Sequence, residues 1–136
     1  MMKETNFNYH KVMVVDDAKI DRYIAEKVIS KYSFAEEVVS VDSAKGARYY
    51  LSNHTANEEG LPDLIFLDIN MPEMNGFGFL EEYKKLPENV KRKCIIVMLS
   101  SSLHPEDKEL ALQNPYVCQF LNKPLTEQKL QDVASI

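Results

Sequence analysis

The stretch Leu61–Gly76 reads LPDLIFLDINMPEMNG and contains an apolar run that ends abruptly in a carboxylate. Its four consecutive apolar residues, Leu64–Leu67, predict a strand buried on both faces, which is typical of a parallel sheet covered by helices. The strand ends abruptly in Asp68, and a proline and a glycine follow within the same stretch. A carboxylate at the end of such a dry strand is either an ordinary surface residue or a reactive group.

Short apolar runs alternate with helical patterns along the chain. The predicted strands are Lys11–Val15, Glu37–Val41, Leu64–Leu67, Cys94–Leu99 and Val117–Leu121. Apolar residues at helical spacing, or residues that cap helices, follow each of these runs. Five consecutive βα units of this kind predict an α/β fold, a doubly wound parallel sheet with right-handed crossovers.

The predicted helices carry their own signals. The first helix places five apolar residues on one side, which we expect to face the core: Ile20, Tyr23, Ile24, Val28 and Ile29. Asp42 and Ser43 are expected to cap the second helix, and Thr126 is expected to cap the last helix. The segments HTANEEGLP and PENVKRK, before the third and fourth strands, are predicted to be surface insertions.

Size and charge exclude several classes of protein. The chain has 136 residues, the size of one domain, with 45% hydrophobic residues and a net charge of -5. This charge argues against binding to nucleic acid or to an anionic membrane. The sequence has no signal peptide and no apolar run of about 18 residues, so we expect a cytoplasmic protein. Cys94 and Cys118 lie in or beside apolar runs and are predicted to be buried free thiols.

Polar side chains follow the predicted strands at the edge where a parallel α/β sheet binds its ligands. They are Asp16 and Asp17, then Asp68, then Ser100, and finally Lys123. Three carboxylates at one edge would repel one another without a cation, and their hard oxygens suit Mg²⁺. One carboxylate oxygen could then attack phosphorus while the metal and the lysine neutralise the phosphoryl oxygens. These residues therefore predict phosphoryl transfer to an aspartate.

The same motifs resemble those of the response-regulator receiver domain of two-component signalling. The segments VVDD, LIFLDINMPEMNG, VMLSS and FLNKP stand in that family's order and cover essentially the whole chain. The resemblance implies a flavodoxin-like (βα)5 fold with strand order 2-1-3-4-5. It also implies that residues 1–136 form one receiver domain of the stand-alone type, without an effector domain.

The resemblance further implies a role for each residue of the site. Asp68 is the expected phosphoacceptor, and the expected Mg²⁺ ligands are Asp16, Asp17, Asp68 and the backbone carbonyl of Asn70. The side chains of Ser100 and Lys123 are expected to contact the phosphoryl group. Ser100 and Phe120, the latter as the switch aromatic, are expected to change position on phosphorylation.

Three details around these residues are less specific. Ser101 and Ser102 are alternatives to Ser100, because serines after a strand are also common in turns. Phe120 has the alternative of simple packing in its strand. The Lys123–Pro124 bond is expected to be cis, since the resembling family has a cis bond here and X–Pro bonds reach cis at a cost of about 0.5–1 kcal/mol.

The resulting hypothesis is a signalling phosphoacceptor, not an enzyme with an external substrate. It accepts a phosphoryl group on Asp68 from the phosphohistidine of a histidine kinase or a histidine phosphotransfer protein, and thereby switches a protein-interaction surface. One alternative is an aspartyl-phosphate phosphohydrolase, which would need an acidic residue where Asn70 stands. The other is a receiver-fold interaction module that is not phosphorylated, which the intact set of site residues disfavours. A flavodoxin-like cofactor carrier would need a phosphate-binding first loop, and this loop lacks the Gly, Ser and Thr residues for one.

Overall fold

A five-stranded parallel sheet lies at the centre of the computed structural model, which describes residues 6–102 and 104–135. The strands are β1 (Tyr9–Val15), β2 (Ala35–Val41), β3 (Leu64–Asp68), β4 (Ile95–Ser100) and β5 (Val117–Asn122). They pair in the order β2-β1-β3-β4-β5, so the predicted fold class and strand order are confirmed. Every strand end lies within two residues of its predicted position.

Within the described residues, six α-helices connect the strands. They are α1 (Lys19–Lys31), α2 (Ala44–Asn53), α3 (Gly76–Tyr83), α4 (Glu88–Lys93), α5 (Pro105–Gln113) and α6 (Glu127–Ala134). Ser43 and Thr126 cap α2 and α6 through their side-chain oxygens, as predicted. In the same part of the chain, no helix is both long and apolar enough to cross a membrane.

Both predicted surface insertions contain helical structure. The segment PENVKRK forms α4, because its central residue Val90 is fully buried and holds the turn against the core. The segment HTANEEGLP contains a short 3-10 helix, Glu58–Gly60, and Leu61 after it is also buried. A single apolar residue in a polar segment is too weak a signal to predict either helix from periodicity.

Each face of the sheet has its own apolar core. Alternate residues of the central strands point to opposite faces, so Met13 and Ile65 pack with α2, α3, α4 and α5, whereas Val14 and Phe66 pack with α1 and α6. The central strands β1 and β3 are therefore covered on both sides. This arrangement explains why their sequences are almost wholly apolar.

Three residues that were predicted to be buried are exposed. Ala25 and Ile29 form the buried side of α1, whereas Ile20 and Tyr23 are 66% and 55% exposed, because only a narrow stripe of the helix meets the sheet. Cys94 is buried as expected, but Cys118 is exposed because β5 is an edge strand with an outer face. The two exposed apolar side chains lie at the start of α1, beside the carboxyl end of β1.

The start of α3 packs directly against the end of β3. The Gly76 amide donates a hydrogen bond to the Ile69 carbonyl at 2.8 Å. A Cβ atom on Gly76 would lie 2.7 Å from the backbone oxygen of Asp68 and 2.9 Å from Cε of Met98. Gly76 is therefore required because the backbone of α3 lies too close to β3 for any side chain.

We expect Gly76→Ala to lower the free energy of unfolding by about 1–3 kcal/mol, the usual cost of overpacking. Urea denaturation of wild type and variant measures this difference. Gly78→Ala is the matched control, because its Cβ would meet the flexible side chain of Met74 and alanine gains about 1 kcal/mol of helix propensity. Equal destabilisation by both substitutions would contradict the close-approach explanation.

Candidate functional site

Three carboxylates converge at the carboxyl ends of the adjacent strands β1 and β3. One oxygen from each of Asp16, Asp17 and Asp68 lies within 4.8 Å of the others. Asp16 and Asp68 are each only 3% exposed, whereas Asp17 is exposed. Asp16 is held in place by the Ala18 amide, which donates a hydrogen bond of 2.9 Å to Oδ1. A compact set of hard carboxylate oxygens with one open side fits a hydrated Mg²⁺ ion.

Lys123 provides the positive charge that faces these carboxylates. Its Nζ lies 2.5 Å from Asp16, 2.9 Å from Asp21 and 3.3 Å from Asp68, measured to a carboxylate oxygen in each case. The Lys123 amide donates a hydrogen bond of 2.8 Å to the Ser100 carbonyl, which fixes the backbone beside β4. The Lys123–Pro124 peptide bond is cis, as predicted.

The sequence pattern did not single out Asp21. It lies in the first turn of α1, where an acidic residue ordinarily serves the helix dipole in solvent. Only the packing of α1 on the sheet brings its carboxylate to Lys123, which is 102 residues away along the chain. Spacing within the sequence therefore gave no signal that could have identified it.

Burial and charge shift the pKa values of two groups in this cluster. Burial raises the pKa of Asp68 to about 6, the charge of Asp16 adds to the rise, and Lys123 partly opposes it. Burial acts to lower the pKa of Lys123, but its hydrogen bonds to Asp16 and Asp21 and the nearby charge of Asp68 outweigh this and raise it. Lys123 therefore stays protonated, whereas Asp68 loses its proton slightly below neutral pH.

Ser100 differs from the two serines that follow it. It is fully buried, whereas Ser101 is exposed and Ser102 is half-buried. The Ser100 hydroxyl donates to the Ser102 carbonyl at 3.1 Å and accepts from the Ser102 amide at 3.1 Å. Its oxygen is therefore turned into the loop after β4 in this structure.

Asn70 lies beside the acidic cluster, whereas Phe120 lies in β5 and has no recorded contact with these carboxylates among the described residues. Asn70 is exposed next to Asp68, and its backbone N–H donates a long hydrogen bond of 3.4 Å to Asp68 Oδ1. Phe120 pairs with Met98 across β4 and β5, is half-buried, and lines a groove between α5 and α6. The ring is thus neither fully inside the core nor fully in solvent.

The sequence and the structure are both similar to those of response regulators. The sequence model of the response regulator receiver domain matches residues 12–135. The two-component response regulator ORR1 of Oryza sativa subsp. japonica is 31% identical over 123 residues, which are 89% of this chain and 52% of that protein. The chain therefore spans about half the length of this relative.

Solved structures give the same result. A two component response regulator from Cytophaga hutchinsonii superposes with a TM-score of 0.87 at 31% identity, covering 93% of this chain and 95% of that one. The Mn(2+)-bound form of response regulator Rcp1 superposes with a TM-score of 0.70 at 25% identity, covering 92% and 88% of the two chains.

We expect Asp68→Asn to raise the free energy of unfolding of the metal-free protein at neutral pH by about 1–3 kcal/mol. The reason is that the folded-state pKa of Asp68 lies above its ordinary value, so wild type loses stability as pH rises from about 4 to about 6. Urea denaturation with a chelator present, at about pH 5 and about pH 7.5, should show a larger gain at the higher pH.

The matched control for this substitution is Asp42→Asn. Asp42 follows β2 at the same edge of the sheet and is exposed. Its substitution shows what the loss of an exposed carboxylate at this edge does to stability. If Asp68→Asn gave the same gain at both pH values, burial would not be destabilising the ionised form of Asp68.

Proposed function

We propose, since the chain belongs to the response regulator receiver domain family, that it accepts a phosphoryl group on Asp68 from the phosphohistidine of a partner protein. That partner is a histidine kinase or a histidine phosphotransfer protein. The observation that supports this most is the placement of Asp68, a buried carboxylate at the end of a central strand with Lys123 3.3 Å away. Residues 1–136 act as one receiver domain in this proposal.

The metal ligands in this proposal are Asp16, Asp17 and Asp68, with the backbone carbonyl of Asn70. Their oxygens are the donor set that Mg²⁺ prefers, and Rcp1 is a related protein with a structure in a Mn(2+)-bound form. When bound, the ion would neutralise charge on the phosphoryl oxygens. Asp17 is exposed, so its carboxylate would bind the ion without first breaking a contact with a buried group.

The chain's own residues carry the transfer. A carboxylate oxygen of Asp68 forms a bond to phosphorus, while the bond from phosphorus to the histidine nitrogen breaks. The electron pair of that bond stays with the imidazole, which leaves as a neutral ring because its other nitrogen carries a proton. The Lys123 ammonium moves from the Asp68 carboxylate to a phosphoryl oxygen, which keeps the developing charge paired. Aspartyl phosphate is thus formed without a proton leaving the protein.

A response to phosphorylation follows from the present position of Ser100. Its hydroxyl is satisfied by Ser102, so to donate to a phosphoryl oxygen it has to leave that partner and draw the loop after β4 inward. The half-buried ring of Phe120 then turns toward the core and changes the groove between α5 and α6. Phosphorylation shifts this equilibrium only by the contacts that differ between the two states.

The partner in this proposal is a protein. Ile20 and Tyr23 expose two large apolar side chains at the start of α1, on the same helix as Asp21, and they suit the apolar face of a helix that carries the phosphohistidine. The net charge of -5 disfavours nucleic acid and anionic lipid as direct partners. The cytoplasm is the compartment that a kinase partner of this kind implies.

Incubation with Mg²⁺ and acetyl phosphate should add one phosphoryl group, located on Asp68 by mass spectrometry of the digested protein. Labelling should disappear in Asp68→Asn and in a chelator, because the nucleophile or the metal is then missing. Asp42→Asn, which removes an exposed carboxylate from the same edge, should be labelled like wild type. A stable label on a histidine or a serine, or no label on wild type, would overturn the proposed function.

A titration with Mg²⁺ should raise the melting temperature, because an ion that binds only the folded state stabilises it by linkage. Asp17→Ala should weaken this response more than Asp42→Ala does. Asp17 is a clean probe, because its side chain makes no hydrogen bond or ion pair within residues 6–102 and 104–135. A melting temperature that stayed constant up to tens of millimolar Mg²⁺ would argue against a metal site here.

A further inference from the structure

The Lys123 ammonium has three N–H donors and three carboxylate partners, and one of these partners lies outside the acidic cluster. Asp16 and Asp68 belong to the proposed metal site, whereas Asp21 projects from the first turn of α1. We propose that Asp21 is a positioning residue, which anchors the Lys123 ammonium so that its remaining donors point to the phosphoryl group. This inference rests on the proposed function of Asp68.

The backbone that carries Asp21 is held in place by the packing of α1. Ala25 and Ile29 fix the helix to the sheet, and Arg22 donates a hydrogen bond of 2.8 Å to the Asp16 carbonyl. Lys123, in contrast, has a long side chain with many rotamers, and ordering it costs free energy. A fixed carboxylate 2.9 Å from Nζ limits the positions that the ammonium can occupy.

The other two partners of Lys123 cannot serve as an anchor during the reaction. Asp68 changes from a carboxylate into an aspartyl phosphate, so its interaction with the ammonium is replaced. Asp16 shares its oxygens between Lys123 and the proposed metal site. Asp21 is the only one of the three with no second role in the transfer, and its ion pair therefore persists from the free site to the phosphorylated one.

A positioning role and a simple charge effect predict opposite results for Asp21→Asn. Removing a negative charge near a site for an anion should strengthen anion binding by Coulomb's law. Releasing Lys123 from its anchor should instead weaken anion binding, because the ammonium is then spread over more positions. The sign of the change therefore separates the two explanations.

The experiment measures the affinity for beryllofluoride, a mimic of the phosphoryl group, at saturating Mg²⁺. Thermal stability is recorded against beryllofluoride concentration for wild type, Asp21→Asn and the matched control Asp42→Asn. We expect Asp21→Asn to bind about tenfold more weakly, the size typical of an outer-shell partner, and the control to stay within about twofold of wild type. Asp21→Glu, which keeps the carboxylate, should recover most of the affinity.

The same substitution in a Lys123→Met background tests whether Asp21 acts through the lysine. There Asp21→Asn should cause no further loss, since no ammonium is left to position. If Lys123→Met does not fold, NMR of the metal-free protein replaces this arm. The Lys123 Nζ protons should then exchange with water faster in Asp21→Asn than in Asp42→Asn.

Four results would overturn the positioning role. They are unchanged or tighter beryllofluoride binding by Asp21→Asn, an equal loss in the Lys123→Met background, no recovery in Asp21→Glu, or unchanged exchange of the Nζ protons. A wild-type protein that takes neither beryllofluoride nor a phosphoryl group would overturn the proposed function and this inference with it. A wild type that takes both while Asp21→Asn behaves the same would overturn this inference alone.

Discussion

The site depends on one interaction, the neutralisation of two buried carboxylates by the ammonium of Lys123. Asp16 and Asp68 are each 3% exposed, and a pair of like charges so far from water is stable only with a counter-charge beside it. Lys123 is itself largely buried and pairs with both. Asp17 adds a third carboxylate within 4.8 Å of these two, so the carboxylates outnumber the ammonium and leave a surplus of negative charge that suits a cation.

The packing of the parallel sheet offsets the free-energy cost of burying these charges. Its central strands are covered on both faces, and two separate apolar cores supply the burial that offsets the cost of the polar edge. The same packing leaves little freedom around Asp68, as the approach of Gly76 to its backbone carbonyl illustrates. Asp68 is thus held by a rigid frame, which is the condition for a site that works by positioning and charge.

The groups beside this frame lie in three places: the end of β4 and its loop, the edge strand β5, and the helix α1. Ser100 is the buried last residue of β4 and its hydroxyl is hydrogen-bonded within the loop that follows, whereas Phe120 lies half-buried in an edge strand. Asp21 and the exposed Tyr23 lie on α1, so the helix that contacts Lys123 also presents an apolar surface. In the proposed function, the loop after β4 and α1 are the two elements that would transmit a change in charge at Asp68.

The amino-acid sequence alone was sufficient to predict the βα alternation and the residues at the strand ends, including Asp68 and Lys123, whereas the strand order was predicted from the resemblance of its motifs to a family. These features are local, because burial on two faces requires an apolar run and a strand end requires a polar stop. Tertiary structure alone decided that Ile20 is exposed, that Val90 anchors a helix, and that Asp21 reaches Lys123. The physical reason is that each depends on how a helix is rotated and placed against the sheet, and apolar spacing defines a broad side of a helix but not the narrow stripe that makes contact.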